Sequence, residues 1–126
     1  MSQQQSNVGK VEWVDLTVAD APRLRDFYRE VIGWEPSPVA MGDYSDFNMI
    51  PPGASAPAAG ICHARGGNAS IPAQWMIYVS VADAKASAAA CVRLGGSIVL
   101  DRAPEFYILQ DPAGAVMAIM QAKGKG

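Results

Sequence analysis

Residues 13–21 read W-V-D-L-T-V-A-D-A and residues 76–84 read M-I-Y-V-S-V-A-D-A, so Val18-Ala19-Asp20-Ala21 recurs as Val81-Ala82-Asp83-Ala84 at an offset of 63 residues. The same offset carries Gly33 onto Gly96. Self-similarity at a fixed spacing is the sequence signature of a repeated structural unit. The surroundings of each copy strengthen it, because an alternating strand precedes the shared tetrapeptide, a helix follows it and glycine ends the helix.

In the first copy Trp13, Asp15 and Thr17 alternate with Val14, Leu16 and Val18, the period of two that separates the faces of a strand. Asp20 then stands at an N-cap position, with Pro22 in the first turn and Leu24, Phe27, Tyr28 and Val31 at helical spacing. Gly33 closes that helix. The second copy repeats the grammar: Met76, Tyr78 and Ser80 alternate with Ile77, Val79 and Val81, Asp83 caps, and Ala90, Cys91 and Leu94 form the expected buried stripe before Gly95 and Gly96. Three strands are expected after each helix. They are 35–40, 44–50 and 60–64 in the first copy, and 97–101, 105–110 and 115–121 in the second. Asp111-Pro112-Ala113-Gly114 reads as a type I turn between the last two.

The resulting organisation is an expected disordered tail over 1–10, a domain over 11–121 with module one at 11–64, a Gly/Asn/Ser linker at 65–72 and module two at 73–121, and a C-terminal tail at 122–126. With 126 residues, half of them apolar, the chain has enough material for a core. Ten basic residues scattered singly, a net charge of −2 and a pI near 5.2 give no basic stripe, so nucleic acid is not an expected partner. No apolar run approaches the roughly 20 residues that span a bilayer, and the start lacks a signal-peptide pattern, so a cytoplasmic protein that does not engage membranes is expected. Cys62 and Cys91 then read as reduced, mostly buried thiols.

If one helix covers the aliphatic face of each module, the other face decides function. It holds Trp13, Asp15 and Thr17, then Met76, Tyr78 and Ser80, then Val116, Ala118 and Met120. Large apolar surface with a few polar anchors suits a small-molecule cavity. The plainer reading is a second core. Asp15 argues for a cavity, since a carboxylate is costly to bury without a partner. Asp15 as general base and Tyr78 as acid are the candidate catalytic pair. The remaining acids have structural roles: Asp20 and Asp83 cap helices and Asp111 belongs to its turn. Phosphate loops, nucleophile elbows and Cys-x-x-Cys pairs are absent.

The ordered series W-V-D-L-T-V-A-D, a helix containing F-Y, the ending I-G-W, then W-M-I-Y-V-S-V-A-D, L-G-G and D-P-A-G-A resembles the vicinal oxygen chelate superfamily. In particular it resembles the glyoxalase-like, lactoylglutathione-lyase-related branch, over residues 11–121. The resemblance implies an α+β fold of two tandem βαβββ modules forming curved mixed sheets around a cleft, with one helix per module. It also implies pairing into a homodimer, for which Trp34, Trp75 and Phe106 are a candidate patch.

In metal-dependent members the ligands sit seven residues before each capping Asp and seven after the Asp of the D-P-x-G turn, which here gives Trp13, Met76 and Ala118. None suits the zinc, nickel, manganese or iron these proteins use. A fourth ligand comes from the strand near Gly60 to Ala64, where His63 is the chain's only histidine. His63 and Glu105 remain weak metal candidates. The expectation is therefore a protein akin to the bleomycin-resistance branch with no cofactor. It would bind a small aromatic or cationic molecule through Trp13, Asp15, Thr17, Met76, Tyr78, Ser80, Ala118 and Met120. The alternatives are a metal-dependent lyase, isomerase or dioxygenase with an unusual ligand set, a metal-free enzyme using Asp15 and Tyr78, and a partner-binding subunit.

Overall fold

The computed structural model describes residues 7–123. The outer parts of the expected tails, 1–6 and 124–126, lie outside the described residues. The elements follow the repeat: β1 (Val11–Val18), α1 (Ala21–Ile32), β2 (Glu35–Ala40), β3 (Ser45–Ile50) and β4 (Ala59–His63), then β5 (Trp75–Val81), α2 (Ala84–Arg93), β6 (Ser97–Arg102), β7 (Phe106–Gln110) and β8 (Val116–Gln121). The α+β, two-module architecture is thus present. The chain divides into two compact units, Val14–Trp75 and Met76 onward together with the segment up to Trp13.

In the first unit the strands lie in the order β2-β3-β4-β1, with β1 and β4 parallel and the other neighbours antiparallel. Asp20 caps α1 as expected, its carboxylate accepting the Arg23 N–H at 3.1 Å. Gly33 ends the helix at φ 90°, a left-handed conformation that glycine adopts without steric cost. The helix covers Leu16, Val18, Phe47, Met49 and Ile61 through Ala21, Leu24 and Tyr28. The expected stripe needs correction, because Phe27 and Val31 are 51% and 63% exposed. Ala21, Leu24 and Tyr28 follow at i, i+3 and i+7, and this narrow seam is all that the small sheet covers. Trp34 and Trp75 are half-buried: they pack against this core and each other at 5.8 Å, and the Trp75 indole N–H donates to the Tyr28 hydroxyl at 3.1 Å.

The second unit orders its strands β5-β8-β7-β6, with β5 and β8 parallel. Asp83 caps α2 by accepting the Ala86 N–H at 3.1 Å. The buried stripe is Ala84 and Ala88 with Cys91, over Tyr107, Leu109 and Ile119. Ala90 is not part of that cluster, and Leu94, at the C-cap, is 70% exposed. The last helical turn has ended before Leu94 can reach the sheet. The expected turn at 111–114 is present: the Asp111 carboxylate accepts the N–H groups of Ala113 and Ala115, at 2.8 and 3.0 Å.

Order extends beyond the expected boundaries. The Gly9 N–H donates to the Ser80 carbonyl and the Ser80 N–H to the Lys10 carbonyl, while the Ala122 N–H reaches the Val81 carbonyl. The linker holds a 3-10 turn at Gly66–Asn68 and a buried Ile71. Among the described residues, no helix is long and apolar enough to cross a membrane.

Gly96 is the tightest point. A Cβ there would lie 2.7 Å from the Gln110 carbonyl oxygen and 2.5 Å from Cys91 Sγ. Backbone on one side cannot yield as a flexible side chain can. Gly96→Ala is expected to destabilise the protein by about 1–3 kcal/mol, the usual cost of overpacking, read as a lower urea midpoint at unchanged m-value.

Candidate functional site

Alternation along the paired strands sorts the side chains of the first unit. Asp15 and Thr17 lie opposite Gly60 and Cys62 in the β1–β4 register, on the face away from α1, while Leu16 and Val18 lie opposite Ile61 and His63. Thr17 is buried, and Asp15 is half-buried and engaged in an interaction. Cys62 is half-buried beside two carboxylates. Burial pushes its thiol pKa well up, and the charges of Asp15 and Asp46 push in the same direction.

In the second unit Tyr78 lies opposite Ala118 and Ser80 opposite Met120, on the face away from α2. Tyr78, itself engaged, meets the Phe106 ring at 6.0 Å. Met76 and Ala118 are fully buried. The Ser80 hydroxyl donates to Glu12 Oε2 at 3.1 Å. Around this bond lies a cavity of about 360 Å³, whose walls include Glu12, Trp13, Ser80, Met120 and Lys123. Trp13, Ser80 and Met120 are thus brought together in one unit. Asp15 and Thr17 belong to the other unit, and Met76, Tyr78 and Ala118 do not line this cavity. Glu12 was not legible as a site residue. By alternation it falls with Val14 and Leu16, and only the pairing of Gly9 and Lys10 with Ser80 brings it to the cavity.

The residues at the resemblance's metal positions do not fit a metal. An indole, a thioether and a methyl offer no hard or borderline donor, and Met76 and Ala118 are sealed from solvent. Nor do the weak candidates supply one. His63 lines a cavity with Pro22, Arg25 and Arg29 of α1, which puts it on the helix-covered face. Glu105 is an exposed residue of the second unit whose carbonyl accepts the Gln121 N–H. No group of three or more His, Cys, Asp or Glu is gathered among the described residues.

His63 is instead held by Asp46. The β3–β4 ladder runs from Met49↔Ala59 to Phe47↔Ile61 and stops. One step further, Asp46 Oδ1 accepts the His63 backbone N–H at 2.9 Å and lies 3.1 Å from its Nδ1. The carboxylate thereby does the work of a missing carbonyl. Tyr44 packs its ring on the imidazole at 5.1 Å.

Residues 13–120 match the glyoxalase-like domain family. The chain belongs to that family. The glyoxalase-like chain is also 26% identical over 122 residues, 92% of its length, to the "Putative glyoxylase CFP32" of Mycobacterium tuberculosis and of Mycobacterium bovis. It spans 45% of the length of those relatives. Among solved structures, its fold is similar to methylmalonyl-CoA epimerase from Streptomyces coelicolor in complex with 2-nitronate-propionyl-CoA. That match has a TM-score of 0.55 and 14% identity, covering 94% of this chain and 97% of the other. The Mycobacterium tuberculosis epimerase is similar at TM-score 0.54 and 16% identity, over 92% and 89% of the two chains. At these identities the likeness is one of fold.

The state of Cys62 gives a chemical check on the helix-free face of the first unit. With its pKa raised, the thiol stays protonated at neutral pH and is a poor nucleophile. Cys62 of the native glyoxalase-like domain is expected to resist N-ethylmaleimide at neutral pH and to react fully once unfolded in urea, by peptide mass spectrometry. Rapid native labelling would contradict the burial.

Proposed function

We propose that this glyoxalase-like domain binds a small organic molecule without the family's metal, in the cavity walled by Trp13, Ser80 and Met120. The observation that carries the reading is that these three residues, each on the face away from the helices, meet with Glu12 around one cavity. At about 360 Å³ its size is that of a small-ligand pocket. Trp13 offers a flat apolar surface, and Glu12 offers carboxylate oxygens beside the Ser80 hydroxyl. A ligand with a planar or aliphatic body and a hydrogen-bond donor, above all a cationic one, matches this pair. The complexes of the similar epimerase with CoA derivatives are in keeping with a small-molecule partner.

The metal part of the reading is tested by elemental analysis. Protein purified without chelator is expected to carry substoichiometric nickel, zinc, manganese and iron, and to retain none of them through gel filtration after incubation. One tightly held equivalent would overturn it.

Binding is tested by thermal shift against a panel of aromatic amines, aromatic acids and short acyl-CoA thioesters. A true ligand at a hundredfold excess over its Kd contributes about 2.7 kcal/mol, on the order of 10 °C for a domain of this size. The shift is expected to vanish in Trp13→Ala. A panel that stabilises nothing, or stabilises the variant equally, would sink the proposal.

A further inference from the structure

On the helix-covered side of module one, a cavity of about 550 Å³ opens between α1 and the β2–β3 pair. Its walls include Arg25, Arg29, Tyr44, Phe47 and His63, with proline surface between them. None of these residues belongs to the Trp13 cavity, and neither the family resemblance nor the reading above gives this side of the sheet a role. We propose that it is a second ligand site, taking a planar organic acid whose anionic group meets Arg29 and whose hydrogen-bond donor meets Nε2 of His63.

The case begins with the histidine. Asp46 is only 7% exposed, and an ionised carboxylate can accept hydrogen bonds but not donate them. Its Oδ1 takes the His63 N–H at 2.9 Å and faces Nδ1 at 3.1 Å, so in the neutral ring the proton resides on Nδ1. The lone pair is then on Nε2, and His63 presents the cavity with an acceptor. The arrangement is that of an imidazole oriented by a buried carboxylate, which acts here as a positioning group.

The walls are braced for a flat molecule. Tyr44 stacks edgewise on His63 and carries the Arg65 guanidinium over its ring at 4.0 Å, while Arg25 lies over Phe47 at 4.9 Å. Arg25 is committed elsewhere, as its Nε and a terminal nitrogen reach both oxygens of Asp26 at 2.8 and 3.2 Å. That bond holds the Asp26 carboxyl below its ordinary range. Arg29 touches Asp26 only at 3.8 Å and is half exposed, so it is the cation able to turn to a ligand. Glu35, also in the wall, disfavours a second negative group on the ligand. One carboxylate, a planar body and one donor is the pattern that remains.

The chain's single histidine makes the test direct, since an imidazole nitrogen NMR spectrum of the whole protein contains one ring. In its neutral form the ring of the free protein is expected to show a protonated Nδ1 and an unprotonated Nε2. Titration with 4-hydroxybenzoate is expected to move the Nε2 resonance saturably. Benzoate, lacking the donor, is expected to bind about tenfold more weakly, as is 4-hydroxybenzoate to Arg29→Gln, the scale of losing one hydrogen bond. Arg29 is half exposed, so its loss leaves the core intact. Arg93→Gln, an exposed change on α2, serves as the charge control and is expected to leave binding as it was. A neutral ring carrying its proton on Nε2, a resonance that 4-hydroxybenzoate does not move, or equal affinity in Arg29→Gln would overturn the proposal.

Discussion

A helix laid on a four-stranded sheet can cover only one of its faces, and most of the arrangement of this chain follows from that constraint. In each unit the strand residues of one parity go under the helix and become core: Leu16, Val18 and Ile61 in the first, Ile119, Tyr107 and Leu109 in the second. Residues of the other parity must satisfy themselves without that cover. They are the mixed set of Asp15, Thr17 and Cys62, and of Tyr78, Ser80 and Met120. Because side chains alternate strictly, one residue of register decides which chemistry a group can join.

The fold was legible because its signals agree at several levels. A capping Asp before each helix, glycine after it, and alternation in the preceding strand specify one consistent set of boundaries, and the caps are realised in the hydrogen bonds of Asp20 and Asp83. Helix faces were less legible. Phe27 and Val31 share the spacing of Leu24 and Tyr28, so periodicity alone assigns them all to the core. Only the width of the sheet beneath α1 separates them. Leu94 shows the same limit at a helix end, where one residue past the last turn is enough to turn an apolar side chain to solvent.

The site was legible in part. Trp13, Ser80 and Met120 could be assigned to one cavity-forming face from alternation. Glu12 could not, because its place depends on pairing with a residue 68 positions away. His63 was the harder case. Its strand was identifiable, yet its face depended on whether that strand pairs with β1 through odd or even positions. The observed register, Val18 with His63, sets it under the helix. No local feature of G-I-C-H-A carries that information.

Trp75 shows how unevenly the two repeats are divided in space. In the chain it opens the second copy, yet its ring closes the aromatic cluster of Tyr28 and Trp34 in the first. Residues 7–13 open the first copy, yet belong to the second unit. The boundary between the two copies in the sequence and the boundary between the two packed units therefore fall at different residues. Halving the gene within 65–72 would strip the first body of an indole and a hydrogen bond, and the second of Trp13 and the partner of Ser80. Each unit is completed by residues that the sequence places in the other copy.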